Sequence, residues 1–341
     1  MSDNNLTSNF SAVPLTYTNP VYEGYLADPF IWKYFGVYYA IGTGAAEAAG
    51  DIDHPQTQSL VFPLLRSDNL VDWERMDNAL VRPDSHLGDN FWAPEVAYNN
   101  GKFYLYYSVG HGDKNHQLRV AESVTPSGPY RDVGKSLSDP QSCPFAIDPH
   151  PFCDDDGQWY LFYARDFLDT EDEVRAGTAL FVDKLQDMTT LSGEGKVVLR
   201  ARSDWQRFLK DRLMYGKLFD WHTLEGPYVR KHSGRYYCFY SGGRWESDLY
   251  GVDYAVAELV MGPYSDVGNE NGPRVLRSVN ERVLGPGHNS IILGVDDRSE
   301  YIVYHAWDTK MTKRRMCLDK LIWTSQGPRS QGPTWTEQLL T

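Results

Sequence analysis

Cysteine is scarce and unpaired in this chain. The four that occur, Cys143, Cys153, Cys238 and Cys317, form no CxxC pair and no zinc-ligand spacing, so a zinc-bound scaffold is excluded and buried thiols are expected. Long apolar runs are missing as well: no stretch approaches the roughly 20 residues that a membrane-crossing helix needs. The first residues, MSDNNLTSNF, lack a basic segment followed by an apolar one. A cytoplasmic location is therefore the expectation, with a leader trimmed beforehand as the alternative. Positive charge is in deficit too. Lys and Arg number 33 against 46 Asp and Glu, a formal net charge of -13, which repels polyanions and argues against nucleic acid as a partner. No membrane partner is expected either.

Aromatic residues are abundant. The 10 Trp, 23 Tyr and 14 Phe fall in short runs bounded by Gly, Pro, Asn and Asp, which is how strands and turns read. Five segments share one plan: ADPFIWKYFGVYYAIGTG, WAPEVAYNNGKFYLYYSVG, IDPHPFCDDDGQWYLFYARD, EGPYVRKHSGRYYCFYSGG and GPGHNSIILGVDDRSEYIVYHAWD. Each opens on a short polar or acidic signature, continues through an apolar stretch and a Gly-, Asn- or Asp-bearing turn, and ends on an aromatic strand, the pattern of a hairpin. Taking Asp28, Glu95, Asp148, Glu225 and His288 as equivalent markers, the repeats lie one four-stranded blade plus loops apart. The expected fold is all-β, a five-bladed β-propeller forming one domain over residues 1–341. RSDNLVDWER, RVAESVTPSGPY and YAVAELVMGPY supply outer strands. Residues 166–221 are the least regular and read as an insertion near the active-site face, with helical stretches such as SDWQRFLKDRL.

In a propeller the innermost strands line a central channel, and their starts converge at one mouth. Asp28, Asp148 and Glu225 sit at such starts, in YLADPF, FAIDPHPF and HTLEGPY. Any one Asp-Pro reads as a turn. Three carboxylates gathered on one pocket floor cost free energy through burial and mutual repulsion unless their pKa values are driven apart, and catalysis is the usual reason to tolerate that. Glycoside hydrolysis needs one acid to protonate the leaving oxygen and one carboxylate to activate water or attack the sugar, and a third acid nearby raises the pKa of the proton donor.

With these motifs the chain resembles glycoside hydrolase family 43 from about Tyr22 to Thr336. The resemblance implies an inverting five-bladed propeller acting on arabinose- or xylose-containing plant polysaccharides. It assigns Asp28 of ADPF as general base, Asp148 of IDPHPF as pKa modulator and orienter, and Glu225 of EGPY as general acid, with base and acid about 6.5–9.5 Å apart. GPGHNS resembles the family motif whose His lies on the propeller axis, where many members bind calcium largely through water. His288 would take that place, either near a Ca2+ or as a hydrogen-bonding histidine, since calcium prefers oxygen ligands. Trp92 of FWAPE is the candidate sugar platform or else a core tryptophan between blades, and Arg244 of SGGRW reaches a sugar hydroxyl or forms a surface salt bridge. Glu95 contacts substrate or stabilises its blade and is not assigned to catalysis. The invertase-like families 32 and 68 carry an Asn before the first Asp-Pro and a Glu-Cys acid, unlike ADP and EGP here. GPGHNS and YHAWD are similar to motifs of arabinan-active members, which favours an exo-acting α-L-arabinofuranosidase. A β-xylosidase and a non-catalytic carbohydrate-binding propeller are the alternatives.

Overall fold

The computed structural model describes residues 14–45, 60–266 and 271–341. It is an all-β, five-bladed propeller. Blade 1 runs from its inner strand Ala27–Tyr34 through Val37–Thr43 and Leu64–Ser67 to Glu74–Arg75. Blade 2 comprises Asn90–Asn99, Lys102–His111, Lys114–Ser123 and Arg131–Ser136. Blade 3 comprises Ala146–Cys153, Trp159–Phe167, Gly177–Asp187 and Lys196–Leu199. Blade 4 takes the second half of the long strand Lys217–His232, then Arg235–Gly242 and Gly251–Ala257, and its fourth strand is reduced to the bridge Val256↔Ser265. Blade 5 comprises Leu284–Leu293, Glu300–Trp307, Arg314–Thr324 and Gly327–Ser330.

The aromatic strands form because both of their faces are buried. In blade 2, Phe103, Leu105, Tyr107 and Val109 pack toward blade 1, while Tyr104 and Tyr106 pack toward blade 3, so period-2 alternation distributes one strand between two neighbours. Five buried clusters result, one at each blade junction, including the junction of blade 5 with blade 1. The ring is closed further by Thr16–Tyr17, which pairs with Gln338–Leu339, and by the amide of Val21, which bonds Met316 O at 2.9 Å. Cys143, Cys238 and Cys317 are buried as expected, whereas Cys153, at the end of its strand, is exposed.

The hairpin turns follow their chemistry. Phe35-Gly36, Asn100-Gly101 and Ser233-Gly234 are two-residue turns with positive φ at both positions, the form whose twist matches that of paired strands.

Residues 166–221 differ from expectation. Gly177–Asp187 and Lys196–Leu199 are the outer strands of blade 3, and SDWQRFLKDRL is not helical beyond one turn at Asp204–Gln206. The capping box of Ser203 and Gln206 does form, which is the start signal a helix would use. Pairing of Arg207–Met214 with Lys217–His232 across the turn Tyr215-Gly216 then overrides it. This hairpin also joins blades 3 and 4 into one sheet, because Gly177 and Thr178 pair in parallel with His222 and Thr223.

Candidate active site

Every inner strand is bulged, that of blade 5 twice, and at one bulge in each a residue adopts the left-handed conformation: Asp28 (φ 51°), Ala93 (46°), Asp148 (58°), Gly226 (55°) and His288 (51°). These are the equivalent positions of the five blades. The sequence markers were correct for Asp28, Asp148 and His288, while Glu95 lies two residues past its bulge and Glu225 one residue before. A bulge re-aims side chains and leaves an unpaired amide. In four blades the next residue is proline, Pro29, Pro94, Pro149 or Pro227, which has no N–H to leave unpaired. Blade 5 has Asn289 there, buried, with neither end of its amide side chain bonded.

In four blades the N–H of the bulge residue is met from the preceding blade. Asp28 N–H donates to His305 Nδ1 (3.1 Å), Ala93 N–H to Thr43 Oγ1 (2.9 Å) and His288 N–H to Ser241 Oγ (2.7 Å). His305, Thr43 and Ser241 share one register position on the second strands. In blade 3 that position is Ala164, which has no acceptor. The Gly226 N–H is taken instead by Asp148 Oδ2 at 2.9 Å. The other four blades place Asp, Ala, Asp and His at this positive φ, so what favours glycine at 226 is space: a Cβ there would lie 3.1 Å from the His288 ring.

The three acids are brought together, in contrasting environments. Asp28 receives the Thr43 hydroxyl at 2.6 Å and has Arg314, His305 and His288 nitrogens at 3.3, 3.3 and 3.4 Å from Oδ1. Burial alone would raise its pKa. The contacts with His288, Arg314 and His305 outweigh burial and hold it well below the usual carboxylate range. Asp148 is pushed well above that range by burial first, then by Glu225 and Asp28, with the Gly226 amide opposing. Burial and the charge of Asp28 push Glu225 up to about 7, against the Tyr250 hydroxyl, which donates to its Oε1 at 2.6 Å, and Arg314. One carboxylate is thus ionised at all moderately acidic pH, while the facing pair keeps a proton near neutrality, the split that acid–base chemistry requires.

Four further residues complete the site. Thr43 ends a second strand, His305 lies two residues before the end of another, Tyr250 precedes the third strand of blade 4, and Arg314 opens the third strand of blade 5. Tyr250 stacks on His305 with rings 5.8 Å apart, linking the Glu225 and Asp28 sides. Arg314 is held by Tyr25 Oη at 3.1 Å and lies 4.4 Å over Trp245, itself stacked on Trp307. The YHAWD motif contained His305 and Trp307. Arg314 and Tyr250 reach the site from the starts of third strands, which no repeat pattern marks.

Trp92 stands one residue before the blade 2 bulge, the place that Glu225 occupies in blade 4, and is half-buried and stacked on His116 at 3.7 Å. Arg244 is not brought to the carboxylates. Its guanidinium pairs with Glu246 at 2.8 Å on the rim, and Arg314 fills the place beside Asp28. Glu95 is buried against His150 Nδ1 at 2.7 Å, which ties blade 2 to blade 3. Among the described residues no three His, Cys, Asp or Glu side chains cluster to hold a metal. His288 offers one ring nitrogen, already 3.4 Å from Asp28, and the Arg314 cation flanks the same carboxylate. These residues are a poor direct donor set for calcium.

Residues 17–328 match the model of Glycosyl hydrolases family 43. The chain is 28% identical over 328 residues to the β-D-galactofuranosidase xynD of Aspergillus niger, covering 91% of this chain and 83% of that protein. It is 29% identical over 288 residues to the extracellular exo-α-(1→5)-L-arabinofuranosidase ArbA of Cellvibrio japonicus, covering 76% and 77%. The crystal structure of a thermostable family-43 glycoside hydrolase superposes with a TM-score of 0.77 at 30% identity, over 94% of this chain and 98% of that one. With its three carboxylates converging at one mouth of a five-bladed propeller, the chain belongs to glycoside hydrolase family 43.

Proposed function

We propose that this glycoside hydrolase is an exo-acting α-L-arabinofuranosidase that releases arabinose from arabinan or arabinose-decorated oligosaccharides with inversion at the anomeric carbon. Glu225, protonated near neutral pH, gives its proton to the glycosidic oxygen as the C1–O bond breaks. Asp28, ionised, takes a proton from the water whose oxygen forms the new bond to C1. Asp148 keeps the Gly226 amide, and so the backbone beside Glu225, in place. The protons return through solvent, from Asp28 to Glu225. The observation that carries the reading is the opposed shift of Asp28 and Glu225 within one buried cluster.

The sugar is proposed from likeness: both relatives named above cleave furanosides. Exo action is supported by the hairpin Arg207–Met214/Lys217–His232, which crosses the site face from blade 4. Tyr215 there bonds Asp166 of blade 3 (2.8 Å) and Arg212 pairs with Asp113 of blade 2 (3.0 Å), walling one side of the mouth. Digestion of linear α-1,5-arabinan tests this directly. Free arabinose as the first product supports exo release, whereas early oligosaccharides mean endo cleavage. Xylose from xylo-oligosaccharides, with no action on arabinan, would establish the xylosidase reading. Glu225→Gln should spare substrates with good leaving groups, and equal loss on good and poor leaving groups would argue against Glu225 as the acid.

A further inference from the structure

Thr43 closes the second strand of blade 1 and is buried. It pairs with Ala27, and the bulge that follows brings the Asp28 carboxylate onto its hydroxyl, 2.6 Å from Oδ2. The direction of that bond is fixed. Thr43 Oγ1 already accepts the Ala93 N–H at 2.9 Å, and an ionised carboxylate can only accept. The single hydroxyl proton therefore lies between Thr43 and Asp28. A β-branched side chain is stiff at χ1, so this donor is held from both ends.

The other neighbours of Asp28 do not aim it in this way. Nitrogens of Arg314, His305 and His288 stand 3.3, 3.3 and 3.4 Å from Oδ1, beyond the ordinary N–H···O length. They contribute charge and polarity, whereas the short bond from Thr43 contributes direction. At the same register position blade 3 carries Ala164, blade 4 Ser241 and blade 5 His305. Of this set Thr43 is the one that donates to a carboxylate of the site. Its oxygen also holds the bulge of blade 2 at Ala93, next to Trp92, so the base and the candidate sugar platform are tied through one atom.

We propose that Thr43 is the positioning residue of the general base: its hydroxyl, pinned by the Ala93 amide, fixes the plane of the Asp28 carboxylate so that an oxygen lone pair faces the attacking water. This rests on Asp28 being the base. Two effects of the bond oppose each other. A hydroxyl donated to the ionised form lowers the Asp28 pKa, so its removal makes the carboxylate more basic. Removal also frees the carboxylate to turn about its last torsion, which is soft in Asp. Misorientation costs more than the added basicity returns.

The test measures kcat, KM and pH profiles for wild type, Thr43→Val, Thr43→Ser and Asp28→Ala. The substrate is whichever of 4-nitrophenyl α-L-arabinofuranoside, β-D-galactofuranoside and β-D-xyloside wild type cleaves fastest. In Thr43→Val, kcat should fall about tenfold at unchanged KM, while the acid limb of kcat/KM moves to higher pH. Thr43→Ser should recover kcat to within about threefold of wild type and return the limb. In the Asp28→Ala background, Thr43→Val should cost less than about twofold more, because no base remains to orient. Thr43→Ala carries the same expectations should Thr43→Val not fold. Wild-type kcat in the folded variant, a lower kcat with the acid limb unmoved, or the same tenfold loss in both backgrounds would overturn the proposal, the last by assigning the effect to the strand of Trp92. Should Asp28→Ala alone keep wild-type activity, the base assignment fails and the proposal falls with it.

Discussion

Asp148 accepts the main-chain N–H of Gly226 at 2.9 Å, and it does so where the second strands of blades 5, 1 and 4 offer His305, Thr43 and Ser241 as acceptors and blade 3 offers only Ala164. The methyl group at 164 frees an amide for the Asp148 carboxylate. Asp148 is thereby coupled to the backbone that carries Glu225, which gives its proposed orienting role a physical basis.

Ala164→Ser restores a hydroxyl at that register position. It should compete for the Gly226 amide, remove a bond that lowers the Asp148 pKa, and reduce kcat on aryl arabinofuranosides about tenfold, with melting temperature little altered. Kinetics beside thermal denaturation check this. Full activity would mean that the amide contact does not orient the site.

Tyr250→Phe removes the hydroxyl that stabilises ionised Glu225. The Glu225 pKa should then rise from about 7, so the alkaline limb of kcat/KM moves to higher pH while the rate at its optimum falls about tenfold. A limb that stays in place, or moves down, contradicts the assignment of that limb to Glu225.

Glu225 also opposes folding at high pH. Its folded pKa, about 7, exceeds its ordinary value of 4.5, so the folded state binds the proton more tightly than the unfolded chain. The penalty is absent below about pH 4.5, grows through the interval and is complete above pH 7, on the order of 3 kcal/mol. Glu225→Gln should therefore raise the melting temperature by several degrees at pH 8 and scarcely at pH 4. An equal effect at both pH values would remove burial of the charge as the cause.

The propeller was legible in the sequence because each blade repeats the same local chemistry. Alternating aromatics such as Phe103 to Val109 bury both strand faces, and Phe35-Gly36 or Asn100-Gly101 can be little other than hairpin turns. Asp28, Asp148 and Glu225 were legible because their Pro and Gly neighbours mark the bulges. The helical reading of SDWQRFLKDRL failed where a true local signal, the Ser203–Gln206 capping box, met stronger non-local pairing with Lys217–His232. Arg314 and Tyr250 could not be found from motifs, because the ring brings them in from third strands, and only closure of blade 5 onto blade 1 sets Arg314 beside Asp28. Arg244 follows an aromatic strand, where the sequence allows either a contact to a sugar hydroxyl or a surface salt bridge, and it pairs with Glu246.

The most direct measurement is hydrolysis of 4-nitrophenyl α-L-arabinofuranoside by wild type and Asp28→Ala, with 4-nitrophenyl β-D-xyloside alongside. The account predicts turnover of the arabinofuranoside that falls by at least about a thousandfold in the folded variant, with the xyloside cleaved poorly. Undiminished turnover by Asp28→Ala, or turnover of the xyloside alone by wild type, would contradict it.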